Sequence, residues 1–349
     1  MDGAGRPPGG SRVRQGARRA WRWGRPLAGA GILLLLAQRL GSGPFLAGLR
    51  KVDGTALLAA TALGAATTVL SAWRWSMIAG GLGIRLPLAA AVGDYYRSLF
   101  LNAVLPGGVL GDVHRAVRHG REAGDVTRAV KAVVLERCAG QVVLMAVGVS
   151  VLVTDPALPG RASVGRGTVL TVAAATIAAG LIVAAARPLP WRRAFGPLTA
   201  ALDRMPAGSR RRPAAAGWAS GVRAWPADVR RGLLARDHRA RILAASAAVI
   251  AGHLATFVVA ARSAGVTAPL RELLPLLVLA LMAMAVPVNV GGWGPREGVS
   301  AWAFGAAGLS STQGLTVAIV YGMLALVASL PGAAVILARQ LASKRSARP

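Results

Sequence analysis

Long apolar segments alternate with short basic connections along most of the chain. The apolar segments occupy about 27–48, 55–80, 86–105, 129–153, 167–186, 242–262, 272–290, 295–311 and 314–338. Many are close to the roughly 20 residues that a helix needs to cross the hydrocarbon core of a bilayer. The pattern predicts an all-α protein, a polytopic integral membrane bundle with about six to eight spans. Trp73, Arg74 and Trp75 near the end of the second segment are typical of interfacial anchors.

The charge balance has two readings, and the apolar pattern decides between them. The chain has 349 residues, is 54% hydrophobic and carries a formal net charge of +28. In a soluble protein this excess would suggest nucleic acid, but here the basic residues lie between apolar segments. Such residues orient a membrane protein and meet anionic headgroups. We therefore expect membrane lipids as partners and no nucleic acid.

The basic segments also predict orientation and domains. Residues 1–26 hold seven arginines and one acid, and the connection 187–241 holds 13 basic residues and three acids. The positive-inside rule places both in the cytoplasm, together with a basic tail at 339–349. The prediction is a cytoplasmic N-terminal tail at 1–26, a transmembrane domain at 27–338 that includes the cytoplasmic loop, and a cytoplasmic C-terminal tail, in the plasma membrane.

Two apolar segments end in similar glycine-rich breaks. The first break reads LPGGVLGD from Leu105 to Asp112, and the second reads VPVNVGGWGPRE from Val286 to Glu297. Unwound backbone at membrane depth is tolerated only where protein buries it or where it lines a cavity. Paired Gly/Pro interruptions in the two halves of a membrane protein point to a substrate site. The alternative is a pair of tight turns between packed helices.

Counting crossings predicts where the chain fails to cross. Five apolar segments precede the loop 187–241, but an even number of crossings must separate two cytoplasmic regions. We expect the segment 86–105 to be re-entrant, turning at Pro106–Gly108. In the second half, 272–290 and 295–311 either cross as a pair or form a hairpin from outside. The hairpin would make the two halves an inverted repeat.

Ionisable residues inside or beside the apolar segments are the candidate chemistry. They include Asp112, Arg115, Glu136, Arg137, Arg296 and Glu297. Charge at membrane depth is costly and usually faces a cavity or a partner. Asp94 and Arg97 have the i,i+3 spacing of a helical pair. The alternative for all of these charges is buried pairing between helices without substrate contact.

No catalytic or cofactor motif accompanies these charges. The sequence has no Walker A, nucleophile-elbow or dinucleotide-binding glycine motif, and His114 and His119 lack a metal-ligand spacing. We expect no cofactor and no metal, and we do not expect this chain to be an enzyme. A stripe of Trp218, Val222, Trp225, Val229 and Leu233 predicts either an amphipathic surface helix broken near Pro226 or a solvated loop.

These residues together resemble the lysylphosphatidylglycerol synthase transmembrane region, a flippase-like membrane family. The family's first-half pattern corresponds to Asn102, Leu105-Pro106-Gly107, Gly111-Asp112 and Arg115, followed by Glu136-Arg137 on the next helix. Its later pattern corresponds to Pro287, Gly291-Gly292, Gly294 and Arg296-Glu297, and Gly308-Leu309-Ser310 also fits. The resemblance covers about 55–338. One departure is Gly322 after Tyr321, where the family often has arginine.

The resemblance implies a lipid-handling membrane module without the cytosolic aminoacyl-transfer domain of full synthases. We expect a protein that binds a phospho- or glycolipid and translocates it between leaflets. The alternatives are a membrane-embedded transferase, or a transferase subunit, acting on a lipid-linked aminoacyl or sugar donor, and a non-transporting scaffold. A separate lipid-modifying transferase is the expected protein partner. The candidate substrate-binding residues are Asn102, Pro106, Gly107, Gly108, Gly111, Asp112, Arg115, Glu136, Arg137, Asn289, Gly291, Gly292, Gly294, Arg296 and Glu297.

Overall fold

The structure is a computed structural model that describes residues 52–105, 108–154, 225–285 and 294–345. Within these ranges all regular structure is α-helical, which confirms the predicted class. The helices are α1 (Gly54–Gly81), α2 (Leu88–Val104), α3 (Leu110–Glu122), α4 (Val126–Thr154), α5 (Trp225–Gly232), α6 (Arg236–Ser263), α7 (Leu270–Met284), α8 (Pro295–Ala306), α9 (Ser311–Ser329) and α10 (Pro331–Arg345).

Four stretches of the described chain are long and apolar enough to cross a membrane. They are Gly54–Gly81, Val126–Leu152, Arg236–Ser263 and Ser311–Arg339. Each coincides with a predicted apolar segment, so the membrane-protein class is supported. The apolar segments 27–48 and 167–186 lie outside the described residues. The predicted six to eight spans and the re-entrant helices remain predictions.

Helix ends follow the cap and turn signals of the sequence. The Asp53 carboxylate accepts a hydrogen bond from the Ala56 N–H at 2.8 Å, which caps α1. That bond, and a second from the Thr55 hydroxyl, hold the pKa of Asp53 below its usual value. At the first break α2 ends at Val104 and α3 begins at Leu110, so the chain is not one continuous helix through this region.

Helices α1–α4 and α6–α9 are two copies of one structural plan. The bounds of α1 and α6 differ by 182 residues at both ends (236 minus 54, and 263 minus 81), and α2 and α7 begin with the same offset. The turn after each first helix is also the same. Gly83 and Gly265 have φ values of 79° and 84°. The following N–H, of Ile84 or Val266, donates to the carbonyl five residues earlier at 2.9 or 3.0 Å.

The first helices of the two copies pack against each other in opposite directions. Near the middle of α1, Thr67 lies against Gly252 of α6. Further along α1, Arg74 donates a hydrogen bond to Ser246, at 2.8 Å, nearer the start of α6. Residue numbers thus rise along α1 as they fall along α6, so the helices are antiparallel. Opposed first helices are what an inverted repeat requires, and the inverted repeat of the whole bundle stays a prediction.

Each copy supplies most of one apolar core, and each core also includes a residue of the other copy. One cluster joins α1 to α4 around Trp75, Ile78 and Leu135, and the other joins α6 to α9 around Phe257, Leu277 and Leu324. All six of these side chains are buried.

Two further helices pack on the outside of these copies. Helix α10 lies on α2, where Gly332 meets the Tyr96 backbone, so its residues from Arg339 onward are helical within the predicted tail. Helix α5 lies on α1 and α4. Its Trp225 and Val229, together with Leu233 just after its end, pack against the first core cluster, so this part of the predicted amphipathic stripe faces protein. Trp218 and Val222 lie outside the described residues.

Candidate functional site

A fully buried carboxylate stands in the middle of the first copy. Glu136 is the eleventh of the 29 residues of α4 and is 0% exposed. Its Oε1 accepts hydrogen bonds from the Arg74 guanidinium and, at 3.2 Å, from the Tyr95 hydroxyl. Its Oε2 accepts a bond from Arg115 at 2.8 Å. A buried charge is tolerated when it is paired and when further hydrogen bonds satisfy its oxygens. Glu136 thus ties together α1, α2, α3 and α4.

A second carboxylate joins the same helices from the start of α3. Asp112 is the third residue of α3, directly after the first break. Its Oδ1 accepts a bond from the Ser98 hydroxyl at 3.0 Å and lies 3.0 Å from Nε of Arg115. Its Oδ2 accepts a bond from the Arg137 guanidinium of α4. Arg115 therefore lies between the two carboxylates and pairs with both.

Asn102 of α2 and Gly111 of α3 bring these two helices together beside Asp112. The Asn102 amide nitrogen donates to Oδ2 of Asp112 at 3.1 Å, while its carbonyl oxygen accepts from the Gly111 N–H at 2.7 Å. A Cβ on Gly111 would overlap the Ser98 carbonyl oxygen and would lie 2.8 Å from the Asn102 side-chain oxygen. The close approach of α3 to α2 therefore requires glycine at this position.

Aromatic rings fix the central arginine. The Arg115 Cζ lies 4.6 Å from the centroid of the Trp75 ring and 4.4 Å from that of Tyr95. A guanidinium over an aromatic face gains cation–π attraction, and more so when it is desolvated. The side chain of Arg115 is 1% exposed. Its ion pairs and both rings hold it in one position.

We name Arg74, Asp112, Arg115, Glu136 and Arg137 the charged network. Three arginines face two carboxylates, which leaves one net positive charge among these five side chains. The side chains of Arg74 and Arg115 are 5% and 1% exposed, whereas that of Arg137 is 44% exposed. Arg137 is consequently the arginine of the network that an incoming group can reach.

The carboxylate of Glu297, after the second break, bonds groups at the start of its own helix. Glu297 is the third residue of α8, and its Oε2 accepts the Gly294 N–H at 2.7 Å. Its Oε1 accepts from Nε of the adjacent Arg296 at 2.9 Å. Arg296 is buried, and its Cζ lies 5.2 Å from the centroid of the Tyr321 ring. Glu297 thus caps α8 and pairs with its own neighbour.

Tyr321 is the centre of an aromatic cluster in the second copy. Its hydroxyl is 3.2 Å from Nδ1 of His253, and its ring stacks on Phe257 with centroids 3.8 Å apart. His253 lies seven residues, or about 10 Å of helix, from Ser246 on the same face of α6. Because Ser246 bonds Arg74, one face of α6 contacts both the charged network and this aromatic cluster.

The structure brings together only some of the sequence candidates. Asn102, Gly111, Asp112, Arg115, Glu136 and Arg137 form one connected set, and Gly294, Arg296 and Glu297 form another. Gly108 and Gly294, at the two break ends, have φ values of 59° and 117°. The candidates Pro106, Gly107, Asn289, Gly291 and Gly292 lie outside the described residues. A cavity common to both sets stays a prediction.

Sequence reasoning missed two features of the site. Arg74, expected at the membrane interface, is 4% exposed and pairs with Glu136. The available signal was its position in the middle of an apolar face, where a lone arginine needs a carboxylate partner. Asp94 bonds Arg118 at 2.7 Å and Arg339 at 2.9 Å in place of the i,i+3 partner Arg97. It therefore links α2 to α3 and α10.

Long apolar helices packed around buried ion pairs are typical of an integral membrane protein. The family model of the lysylphosphatidylglycerol synthase TM region matches residues 22–332, so the chain belongs to this family. This confirms the resemblance and links the chain to lipid handling. No curated protein and no solved structure matches the chain.

Proposed function

We propose that this protein binds a polar lipid through its phosphate at the charged network and moves the lipid between leaflets. The observation that carries the proposal is the network's single excess positive charge, held among apolar helices of a lipid-related family. A charge in such surroundings is expensive unless an anion accompanies it. A lipid phosphate supplies that anion together with acyl chains suited to the surrounding bilayer.

Arg137 is the residue that we assign to the phosphate. A guanidinium offers paired N–H groups that match two phosphate oxygens. Arg137 is the exposed member of the network, and its present partner is Asp112. A phosphate would therefore compete with Asp112 for Arg137, while Arg74 and Arg115 stay paired with Glu136. Arg74 and Arg115 are positioning residues in this scheme.

The opposed copies suggest how the lipid would cross. Inverted repeats in transporters rock against each other around a site near the bilayer midplane. Helices α1 and α6 form such an opposed pair, and the Arg74–Ser246 bond lies on their contact. We expect movement to be passive or ion-coupled because the sequence lacks a Walker A motif.

The proposal includes a topology. We place the protein in the plasma membrane with several spans, with its termini and residues 187–241 in the cytoplasm and with re-entrant breaks. The arginine excess of these segments supports the orientation. Labelling of a Ser209→Cys reporter, made in a Cys138→Ala background, should require permeabilised cells. Labelling from outside intact cells would contradict the topology.

Reconstituted vesicles test the transport proposal. We expect purified protein to exchange a fluorescent phospholipid between leaflets, and we expect Arg137→Gln to slow exchange by about tenfold, the equivalent of one lost charged hydrogen bond. Arg137→Lys should keep part of the rate. The control is Arg271→Gln, because Arg271 is 85% exposed and its ion pair within the described part of the chain is a 4.0 Å contact with Glu272.

Two outcomes separate the alternatives. Exchange by folded Arg137→Gln protein at the original rate would contradict the assignment of Arg137. Absence of exchange by the unaltered protein, with a copurified lipid-linked aminoacyl or sugar donor, would favour the transferase function. Mass spectrometry of the copurified lipid identifies the headgroup in either case.

A further inference from the structure

We propose a second anion site, at the end of the bundle where α1 ends and α4 begins. A cavity of about 400 Å³ opens there, lined by Gly80, Gly81, Leu82, Gly83, Arg128, Lys131, Asp228 and Arg231. Three basic side chains and one carboxylate line it, and Asp125 at its edge pairs with Arg128 at 3.2 Å, which leaves one excess positive charge. We name it the basic pocket. It fits a phosphate group, and it is independent of the proposed transport function.

Glycines make room for a ligand in this pocket. A Cβ on Gly80 would meet nothing within 4 Å, so this wall of the pocket faces open space. Gly83 has a φ of 79° and lies beside the Arg128 guanidinium, with 3.7 Å between the Gly83 Cβ position and Nη1. The last carbonyls of α1 would repel an anion, but those of Ala79 and Gly80 accept bonds from the turn that follows.

The basic side chains of the pocket come from different helices and differ in accessibility. Arg128 and Arg231 have side chains that are 58% and 64% exposed, with carboxylate contacts at 3.2 and 3.8 Å. Lys131 is more buried, and its Nζ donates to Asp228 of α5 at 2.6 Å. A phosphate between these groups would replace part of the Asp228 interaction. Exposed arginines are free to turn toward it because such surface pairs contribute little.

Helix α5 is held rigidly enough to form a wall of the pocket. A Cβ on Gly81 would lie 2.6 Å from the Arg231 carbonyl oxygen and 3.1 Å from the Gly232 Cα, so the two backbones touch. A Cβ on Gly232 would lie 3.2 Å from Leu135 of α4. These contacts position Asp228 and Arg231 relative to Lys131 before any ligand arrives.

The basic pocket is separate from the charged network. Lys131 precedes Glu136 by five residues on α4, and Arg74 precedes Gly81 by seven on α1, which gives about 7–10 Å of helix between the two sites. Ile78 and Leu135, both at most 1% exposed, fill the layer between them. An anion in the pocket therefore does not contact the network.

Binding measurements on the full chain test the proposal and identify the source of the phosphate. The protein is placed in phosphatidylcholine nanodiscs, either with phosphatidic acid added or with inorganic phosphate titrated at constant ionic strength against chloride. Native mass spectrometry measures retained phosphatidic acid, and the thermal midpoint measures stabilisation by either probe. If phosphatidic acid is retained and inorganic phosphate does not stabilise the protein, the pocket is a lipid-headgroup site. If inorganic phosphate stabilises the protein, the pocket is a site for a free anion.

Charge-matched variants distinguish phosphate binding in a defined pocket from general electrostatic attraction to a basic surface. Arg128→Gln/Lys131→Gln should lower phosphate binding about tenfold or more, since each basic group near the surface contributes appreciably. Arg239→Gln/Arg241→Gln removes the same charge from exposed positions of α6 at the same bundle end, and it should bind as the original protein does. Asp228→Asn removes the competing carboxylate and should raise binding several-fold.

A neutral substitution keeps the test decisive if the double variant fails to fold. Gly80→Leu would fill the open side of the pocket without changing charge, and we expect it to abolish binding of the probe. Equal losses in the two charge-matched variants would overturn the proposal. So would full binding by Gly80→Leu, or the absence of any preference for phosphate over chloride.

Discussion

The eleventh residue of the last helix differs in chemistry between the two copies. In α4 it is Glu136, which three donors from three helices surround, and in α9 it is Tyr321, which stacks on Phe257 and bonds His253. The plan of the backbone is shared, but charge is concentrated in the first copy and aromatic packing in the second. One backbone plan thus supports a centre built on ion pairs and, beside it, a centre built on aromatic packing with a buried arginine at its edge.

The carboxylates after the two breaks show the same divergence. Asp112 and Glu297 are each the third residue of the helix that follows a break. Asp112 bonds side chains of α2, α3 and α4, whereas Glu297 bonds the backbone and side chain of its own helix start. The first carboxylate therefore joins helices, and the second stabilises one helix.

Removing the Glu136 carboxylate should cause the largest loss of stability among the variants that compare the two copies. We expect Glu136→Ala to lower the free energy of unfolding by about 3–5 kcal/mol, because Arg74 and Arg115 would keep buried charges without their carboxylate. Unfolding in mild detergent measures it. Glu122→Gln is the control, since Glu122 is 54% exposed and pairs only with Arg118 among the described contacts. A Glu136→Ala protein as stable as this control would contradict the role of the network.

Asp112→Asn should have the second largest effect. We expect a loss of about 2–3 kcal/mol, because hydrogen bonds to charged groups contribute that much and Arg137 would lose its carboxylate. Glu297→Gln should cost less, about 1.5–2 kcal/mol, because it leaves the buried Arg296 without a carboxylate but keeps an oxygen for the Gly294 N–H and removes no contact between helices. Parallel denaturation curves of the two variants check the order. The reverse order would show that the second break carries the more important interhelical contact.

Glycine substitutions should show that the chain packs more tightly after the first break than after the second. Gly111→Ala would place its Cβ against the Ser98 carbonyl, and we expect a loss of about 1–3 kcal/mol from overpacking. A Cβ on Gly298, also in the first turn after a break, would meet nothing within 4 Å. Gly298→Ala should therefore be neutral or stabilising by up to about 1 kcal/mol. Equal thermal midpoints for both variants would rule out the close approach of α3 to α2.

Tyr321→Phe should have the smallest effect. It removes only the 3.2 Å contact with His253 and keeps the ring over Phe257 and beside Arg296. We expect a loss of about 0.5–1.5 kcal/mol, the usual net value of one hydrogen bond. A loss of stability as large as that of Glu136→Ala would show that the Tyr321–His253 hydrogen bond matters as much for folding as the ion pairs of Glu136. The thermal midpoint against the original protein provides the measurement.

The sequence predicts the helices and the breaks better than it predicts the partners. Apolar length and Gly/Pro punctuation place α1, α2, α4, α6 and α9, because those features act locally. The pairing of Arg74 with Glu136 spans 62 positions, and the apolar surroundings of Arg74 indicate that it needs a carboxylate but not which one. The equal spacing of Gly83 to Pro87 and of Gly265 to Pro269 could have revealed the repeat. The side chains at matching positions of the two copies differ so much that residue composition does not indicate the repeat.

The antiparallel contact between α1 and α6 has a consequence for the origin of the fold. Because both helices occupy the same place in their copies, their contact is self-complementary, like the interface of a two-fold symmetric dimer. A single four-helix unit inserted into the membrane in both directions would assemble the same way from two separate chains. Joining two such units in one polypeptide frees each from the symmetry of a homodimer. Duplication followed by specialisation would explain glutamate in one unit and tyrosine at the matching place in the other.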